Sequence, residues 1–228
     1  MTIVLAFETS SEVASVALLH DDRLITREAT GVQTHSQTIL PMAQALLAEA
    51  GIRLRDCDAI AFGCGPGSFT GVRTACGIVQ GLAYGAGLPV VPVVTLLAMA
   101  HGLRKSSGAT DVLAVLDARM GEVYWAQYRF DHDWHAVSAP TLSLPADIIV
   151  HGTPATTGNG LVEYADSLPP AVRELHGRTA LPHAAAVAEL GRLAIQRGQA
   201  CAAIDAQPLY LRNKIALTTA ERLAKAGT

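Results

Sequence analysis

Two stretches of the chain, about half its length apart, repeat one pattern of apolar and acidic residues. In each, an apolar strand ends in a carboxylate, and a second strand follows a few residues later. The strand at residues 3–8 ends in Glu8, and the strand at residues 112–117 ends in Asp117. Short apolar runs bounded by turn residues are typical of buried strands. A pair of strands that recurs at half the chain length indicates an internal duplication.

The elements predicted after each pair of strands support two related halves. After the first pair, the pattern indicates a third strand, a helix at about Gln37 to Ala50, a strand at residues 58–63, a glycine-rich helix, a strand at residues 90–94 and a helix at residues 95–104. After the second pair, it indicates short strands between residues 140 and 150 and helices at residues 161–168 and 184–197. Tandem βββαβα units are the plan of the duplicated actin-like α/β fold, which Hsp70 and sugar kinases share. We predict that fold, with residues 1–107 as the first half and residues 108–228 as the second.

The C-terminal residues carry the most basic short run, Tyr210 to Lys214. A final helix is predicted to begin at Thr218 or Thr219, since either residue can cap a helix. This helix either docks back on the first half or reaches for a binding partner.

A glycine-rich loop joins one predicted strand to the most unusual helix of the chain. The loop begins at Gly63, and its second half is Gly67-Ser68-Phe69-Thr70-Gly71. It is either an anion-binding loop, in which backbone N–H groups and a helix N-terminus hold a phosphate, or a structural turn. The P-loop and dinucleotide-binding patterns do not fit, because the basic residue is Arg73 and the third glycine comes one residue late. The predicted positions of positive φ or close backbone contact are Gly65, Gly67 and Gly71. The candidate nucleotide or anion contacts are Thr9, Ser10, Gly65, Gly67 and Ser68.

The helix after this loop places Gly77, Gly81 and Gly85 on one face, since they are four residues apart. Each interior glycine destabilises a helix by about 0.5–1 kcal/mol relative to alanine, so three together indicate the close approach of another helix. That helix belongs either to the same chain or to a partner. The predicted core stripe of the glycine helix is Phe69, Val72, Cys76, Val79 and Ala83.

The preceding helix, at residues 37–50, carries two apolar stripes where a domain core needs one. The second stripe is therefore available to a partner or to a second copy of the chain. The predicted partner or dimer interface comprises His35, Ile39, Met42, Leu46, Arg73, Gly77, Gln80, Gly81 and Tyr84.

Composition limits the classes of function. Half of the 228 residues are hydrophobic and 16% are charged, so much of the surface is expected to be covered. A net charge of −3 provides no basic field for nucleic acid, and any RNA would be held mainly through a partner. The four cysteines lack C-x-x-C spacing, which indicates reduced thiols of a cytoplasmic protein. We also expect no signal peptide and no membrane span.

Several motifs together resemble one known family. They are Glu8-Thr9-Ser10, Ser15-Val16-Ala17-Leu18, Thr34-His35-Ser36-Gln37, Gly65-Pro66-Gly67-Ser68-Phe69-Thr70-Gly71-Val72-Arg73, Gln80-Gly81-Leu82-Ala83, Asp117-Ala118-Arg119-Met120-Gly121-Glu122-Val123-Tyr124 and Pro208-Leu209-Tyr210-Leu211-Arg212. In order and spacing these segments resemble the bacterial TsaB (YeaZ) family, over nearly the whole chain.

The resemblance implies a subunit of the machinery that makes N6-threonylcarbamoyladenosine at position 37 of tRNAs reading codons that start with A. Members are regarded as non-catalytic; the larger paralogue TsaD transfers the threonylcarbamoyl group, and the ATPase TsaE joins them. The chain would then be a scaffold or activator that binds TsaD, reaches tRNA through the complex, and forms a homodimer when alone. It would hold no stably bound cofactor, with ATP or ADP possible at the interface within the complex.

The alternative is an enzyme in its own right, either an actin-like phosphotransferase or ATPase, or a metallopeptidase-like hydrolase. The paralogue holds a metal with two histidines four residues apart, but here His35 is followed at that spacing by Ile39. A lone histidine in the first turn of a helix is predicted to be a hydrogen-bonding surface group. His132 and His135 lie in a polar segment that indicates a solvated turn rather than a metal site. We therefore predict no catalytic and no metal-binding residues.

Two acidic residues, Glu8 and Asp117, are the remaining candidates for contact with a nucleotide or substrate. Glu8 stands where nucleotide-binding relatives commonly have an aspartate, and its longer side chain weakens any phosphate–metal role. Asp117 and Arg119 form either an ion pair across a tight turn or a substrate contact, and the ion pair is favoured.

Overall fold

The computed structural model describes residues 2–30, 35–175 and 177–212. This part of the chain contains two five-stranded mixed sheets, with six α-helices packed against them. The sheets repeat the same plan in sequence, as the duplicated pattern predicts.

The first sheet has the strand order β3-β2-β1-β4-β5. Its strands are β1 (Ile3–Glu8), β2 (Val13–His20), β3 (Arg23–Thr30), β4 (Ala59–Gly65) and β5 (Val90–Val94). The first three form an antiparallel meander, and β4 pairs with β1 in parallel. Side chains alternate between two cores, because Leu5 and Phe7 point to one face while Val4 and Ala6 point to the other.

The second sheet has the strand order β10-β9-β6-β7-β8. Its strands are β6 (Asp111–Arg119), β7 (Glu122–Asp131), β8 (Asp133–Ser143), β9 (Ala155–Thr157) and β10 (Gly177–Arg178). Strands β6, β7 and β8 form a second antiparallel meander, and β9 pairs with β6 in parallel. This correspondence with the first sheet confirms the predicted duplicated actin-like α/β fold.

The helices do not divide between the halves as the sequence suggested. They are α1 (His35–Ala50), α2 (Phe69–Ala86), α3 (Thr95–Ser107), α4 (Gly160–Glu163), α5 (Pro170–Arg173) and α6 (Ala184–Gln196). Helices α1 and α2 pack on the first sheet, whereas α3 packs on β6 and β7 of the second. Helix α6 lies on the first sheet, although it belongs to the second half of the sequence. A boundary at residue 107 therefore separates the two sheets but not their covering helices.

The face of the first sheet beneath α6 is built from small residues. A Cβ on Gly191 would lie 2.8 Å from the Cβ of Ala61, so the helix and the sheet approach each other closely. Helices α3 and α6 also contact each other, and His101 Nε2 lies 2.7 Å from Glu189 Oε2. These contacts join the halves into one packed unit.

Two predicted segments differ from the structure. Strand β8 begins at Asp133 rather than near residue 140, and residues 145–147 form a 3₁₀ turn instead of a strand. Polar residues at the tip of a long hairpin resemble a solvated loop in sequence, which explains this error. The helix predicted at residues 161–168 is a four-residue helix followed by a 3₁₀ turn at residues 165–167.

After α6 the chain returns to the first sheet. Cys201 forms an antiparallel bridge with Val90 at the sheet edge, and Ala206 packs into the core beneath α2. The Leu209 N–H then donates to the Cys64 carbonyl at 2.7 Å. The predicted final helix, from Thr218 or Thr219, lies outside the described residues.

Candidate functional site

The glycine-rich loop packs directly against the turn between β1 and β2. The Ser68 N–H donates to the Ser10 carbonyl at 2.7 Å, and the Thr9 hydroxyl donates to the Gly71 carbonyl at 2.6 Å. A Cβ on Gly67 would lie 2.6 Å from the Ser10 Cβ, and a Cβ on Gly71 would lie 1.8 Å from the Thr9 carbonyl oxygen. The predicted close contacts at these glycines are therefore confirmed.

Gly65 supplies the predicted backbone conformation, with a φ of 104°. A Cβ there would also lie 2.9 Å from the Leu209 carbonyl oxygen, so this position needs glycine for two reasons. The glycines thus hold the loop, the β1–β2 turn and the C-terminal segment together, as a structural turn requires.

This packing removes one of the candidate anion contacts. Thr9 is fully buried and its hydroxyl is engaged by Gly71, so the prediction that its side chain contacts a ligand was wrong. The Ser10 hydroxyl is buried as well, beside the Glu8 carboxyl. Contact of Ser10, Gly65, Gly67 or Ser68 with a nucleotide or anion stays a prediction.

A cavity of about 280 Å³ lies between the two halves. The β1–β2 turn and the N-terminus of α2 form one wall, and the β6–β7 turn forms the other. The lining includes Ser10, Ser68, Phe69, Val72, Leu116, Asp117, Met120, Tyr124 and Asn159. The C-terminal residues Leu209 to Arg212, which we call the clasp, cross its edge.

The acidic residue at the end of β6 is held by internal partners. The Asp117 carboxylate pairs with Arg119 Nη1 at 3.0 Å and accepts a hydrogen bond from the Tyr164 hydroxyl at 2.8 Å. Burial, together with this hydrogen bond, raises the pKa of Tyr164 to about 12. The predicted ion pair is confirmed, and it leaves Asp117 with its charge already neutralised.

Glu8, its counterpart at the end of β1, is fully buried beside the loop. Its Oε1 accepts a hydrogen bond from the Ser10 N–H at 2.6 Å, while its Oε2 has no hydrogen-bond partner among the described residues. A Cβ on Gly63 would lie 1.8 Å from that Oε2, so the carboxyl is packed against the strand backbone. Burial raises the pKa of Glu8, opposed by hydrogen bonds from Ser10. Glu8 is therefore a core residue and does not line the cavity.

This raised pKa predicts a specific dependence of stability on pH. The fold favours the neutral form of the Glu8 carboxyl. Its contribution to the free energy of unfolding is therefore fully present below the ordinary glutamate pKa of 4.5, and it is lost as the pH rises through the higher pKa of the folded state. The slope of this loss is at most about 1.4 kcal/mol per pH unit for one group. Glu8→Gln should remove the loss, so the variant gains stability relative to the wild type between pH 4.5 and pH 8. Thermal unfolding across that range measures the difference.

The matched control for this experiment is Glu174→Gln, which changes a glutamate on the exposed surface. This variant measures the effect of the same chemical change at an exposed position, and the Glu8→Gln curve is compared with it at each pH. A constant difference between Glu8→Gln and the wild type across the range would contradict the prediction.

Helix α2 presents an uncovered glycine face. Gly77, Gly81 and Gly85 are exposed, and a Cβ on any of them would meet nothing within 4 Å. Arg73 is exposed on the same helix, and Tyr84 is 86% exposed. No helix of the described chain covers this face, so the intramolecular alternative fails for residues 2–30, 35–175 and 177–212. The partner alternative stays a prediction.

The structure corrects part of the predicted interface. Ile39 and Leu46, which belong to α1, are fully buried on its inner side. His35, the first residue of α1, is buried too, and its Nε2 lies 3.4 Å from the Glu12 carbonyl oxygen. The prediction that these three residues lie at a surface was wrong. Met42 and Gln80 are half-buried, and the Gln80 amide donates to the Ala206 carbonyl at 2.9 Å.

The second predicted stripe of α1, Leu40, Ala43, Leu47 and Ala50, is mostly packed against the core as well. Leu40 is 38% exposed, but Ala43 is buried, and Leu47 and Ala50 are half-buried against the same core. The expectation that this whole stripe is left free for a partner was therefore wrong, and only Leu40 of it is exposed. Phe69 was likewise assigned to the core but is partly exposed at the start of α2, whereas Val72, Cys76, Val79 and Ala83 are buried as predicted.

The remaining candidate chemical groups lie apart from one another. His132 sits at the tip of the β7–β8 hairpin, 3.7 Å from an Asp131 carboxylate oxygen. Across the described ranges, no three His, Cys, Asp or Glu side chains are grouped as metal ligands. The four cysteines are free thiols, and burial raises the pKa of Cys64 to about 12. Within the same ranges, every helix is too short or too polar to cross a membrane.

Comparison with known proteins identifies relatives along nearly the whole chain. The family model described as TsaD, tRNA N6-adenosine threonylcarbamoyltransferase, matches residues 25–166. The tRNA threonylcarbamoyladenosine biosynthesis protein TsaB of Escherichia coli (strain K12) is 41% identical, over 93% of this chain and 96% of that protein. The protein of the same name from Haemophilus influenzae is 37% identical, over 93% of this chain and 94% of that protein. The structure of YeaZ from Pseudomonas aeruginosa superposes with a TM-score of 0.86 at 38% identity, over 92% of this chain and all of that one. With its duplicated fold and these full-length relatives, the chain belongs to the TsaB (YeaZ) family of tRNA threonylcarbamoyladenosine biosynthesis proteins.

Proposed function

We propose that this chain is a non-catalytic subunit that binds and activates the TsaD transferase of its cell. The observation that carries the proposal is the bare glycine face of α2, which nothing in the described chain covers. Helix glycines without a local packing role destabilise the helix, and close approach of a second helix would offset that cost.

The cleft supports a binding role over an independent chemical one. Glu8 is packed in the core, Asp117 is paired internally, and Thr9 donates to the backbone. None of these three groups is free to hold a metal–phosphate or to move a proton at a substrate. ATP or ADP bound by the complex would instead lie at the subunit interface, and the chain alone would hold no cofactor stably.

The partner face is proposed to comprise Arg73, Gly77, Gln80, Gly81 and Tyr84 of α2, together with Met42 and the exposed Leu40 of α1. A TsaD subunit that shares the duplicated fold could present equivalent helices to this face. Two copies of this chain could pair through the same helices about a two-fold axis when TsaD is absent. The homodimer and the TsaD complex would then exclude each other.

The remaining partners follow from this role. The ATPase TsaE would join the assembled pair, and tRNA would be reached through the complex, because a net charge of −3 provides little electrostatic attraction for a polyanion. The site of action would be the cytoplasm.

Reconstitution tests the proposed function directly. Threonylcarbamoyl transfer to tRNA should be at background with this chain alone, weak with TsaD and TsaE alone, and raised at least tenfold when all three are combined. Activity is measured as modified adenosine in the digested tRNA. Transfer, ATP hydrolysis or peptide hydrolysis by this chain alone would favour the enzyme alternative instead. An unchanged rate on adding the chain to TsaD and TsaE would remove the activator role.

A further inference from the structure

The single charged residue of α2, Arg73, is held in place by two aromatic rings. Its guanidinium carbon lies 3.5 Å from the centroid of the Phe69 ring and 5.3 Å from that of the Tyr210 ring. Its Nε donates a hydrogen bond to the Tyr210 hydroxyl at 2.7 Å. An exposed arginine is normally mobile, so this one is unusually restrained for a surface residue.

Tyr210 is itself fixed, because it belongs to the clasp. On one side of it, the Leu209 N–H donates to the Cys64 carbonyl at 2.7 Å. On the other side, Arg212 Nη2 donates to the Ala118 carbonyl at 3.0 Å and pairs with Glu122 at 2.7 Å. The clasp thus connects the first half to the β6–β7 turn of the second half, and Tyr210 projects from it onto α2.

The restraint leaves a defined part of the guanidinium free. The Phe69 ring covers one face of it and its Nε is engaged by Tyr210, while Nη1 and Nη2 donate no hydrogen bond within the described residues. A guanidinium with both Nη groups available pairs end-on with a carboxylate through two parallel hydrogen bonds. Because the side chain is already ordered, less conformational entropy is lost when the pair forms.

We propose that Arg73 binds a carboxylate side chain of the protein that covers α2, and that Tyr210 is its positioning residue. This inference rests on the proposed function, since it assumes a partner on the glycine face. The inference adds the chemical group by which that partner is recognised, a carboxylate. It also adds a residue outside the glycine face, Tyr210, that sets the position of Arg73.

The surroundings favour a protein carboxylate over a nucleic acid phosphate. Arg73 is the only charged residue of α2, and the exposed residues that follow it in the helix are Gly77, Gly81, Tyr84 and Gly85. Nucleic acid binding needs several neighbouring cations, because its affinity comes from releasing many counterions. Two further arginines, Arg53 and Arg55, line a groove with Gly81 and Gly85 at the far end of this face, and Arg53 is already paired with Asp56 at 2.9 Å. An exposed tyrosine and an ordered arginine on a bare helix face are typical of the energetic centre of a protein interface.

A double-mutant cycle separates positioning from structural support. The dissociation constant for TsaD is measured by titration calorimetry for the wild type, Tyr210→Phe, Arg73→Lys and the double variant. Arg73→Lys keeps the charge but loses the planar fork, and we expect about tenfold weaker binding, equivalent to about 1.4 kcal/mol. Tyr210→Phe should weaken binding three- to tenfold with an unchanged melting temperature. The double variant should bind no more weakly than Arg73→Lys, since Tyr210 acts through Arg73.

Salt and a second tyrosine provide the controls. Arg73→Gln should reduce the fall in affinity between 50 and 500 mM salt, because an ion pair has been removed. Tyr164→Phe removes another hydroxyl that donates an internal hydrogen bond, to Asp117, and should not change the dissociation constant.

Three results would overturn the inference, and each is distinct from failure of the proposed function. Losses from Tyr210→Phe and Arg73→Lys that simply add, with a lower melting temperature for Tyr210→Phe, would make the tyrosine structural. Wild-type affinity in both variants, with binding abolished by Gly81→Leu, would leave the interface standing without the carboxylate contact. An unaltered salt dependence in Arg73→Gln would exclude an ion pair. Wild-type affinity in all variants, Gly81→Leu included, would instead refute the proposed interface.

Discussion

Gly81→Leu is expected to abolish TsaD binding while leaving the chain folded and slightly more stable. A Cβ at this position meets nothing within 4 Å, so a leucine side chain would project from α2 without disturbing the core. Replacing a helix glycine with leucine stabilises the helix by about 0.8 kcal/mol. The same side chain would occupy the groove in which a partner helix must lie, because close approach needs the bare glycine backbone. Opposite effects on stability and on binding distinguish an interface residue from a structural one.

The measurements are thermal unfolding, light scattering and the reconstituted transfer assay. We expect a melting temperature at or above that of the wild type, a monomer in place of the proposed homodimer, at least a hundredfold weaker binding to TsaD, and transfer no faster than with TsaD and TsaE alone. The matched control is Gly102→Leu in α3, where a Cβ also meets nothing within 4 Å. That variant makes the same chemical change in another helix and should bind normally. Full binding by Gly81→Leu would move the interface away from α2.

The fold was predictable from sequence because its evidence is local. The first strands of the two meanders are short apolar runs that lead to Glu8 and Asp117, and the two meanders recur in the same order. Strand β8, which begins with polar residues, was the exception. The exchange of covering helices was not predictable in this way. Nothing within residues 184–196 shows that α6 lies on the first sheet, since that choice depends on the small residues of distant strands such as Ala61.

Parts of the candidate site were also predictable from sequence and parts were not. The glycine face could be found from sequence because glycines four residues apart are costly in any helix, whatever surrounds it. The orientation of α1 could not, since Ile39 is fully buried and Leu40 is exposed although the two are adjacent and similarly apolar. The hydrogen bond between Arg73 and Tyr210 joins residues 137 positions apart, and no periodic pattern connects them.

Two glycines of α2 allow a direct test of why the loop residues are glycine. Gly71 and Gly77 lie in the same helix, but their surroundings differ completely. A Cβ on Gly71 would lie 1.8 Å from the Thr9 carbonyl oxygen, whereas a Cβ on Gly77 would meet nothing. The same substitution, glycine to alanine, should therefore have opposite effects at the two positions.

Gly71→Ala should destabilise the chain by about 3 kcal/mol, because the new methyl group must displace backbone rather than a flexible side chain. Moving Thr9 would also lengthen its hydrogen bond to the Gly71 carbonyl, now 2.6 Å and fully buried. For a domain of this size the melting temperature should fall by about 6–12 °C. Gly77→Ala should raise the stability by about 0.5–1 kcal/mol, since alanine favours the helix and no atom obstructs it.

Thermal unfolding of the two variants and the wild type measures both changes in stability, and the comparison between the two variants carries the test. Both changes are identical in chemistry and lie in one helix, although Gly71 is in its first turn, where helix propensity matters less than at Gly77. Helix propensity accounts for at most about 1 kcal/mol of the difference between the variants, and the rest measures the contact of the loop with the β1–β2 turn. Equal stabilisation by both alanines would mean that the turn moves aside freely, and the loop glycines would then need an explanation other than close packing, such as a ligand that approaches their backbone.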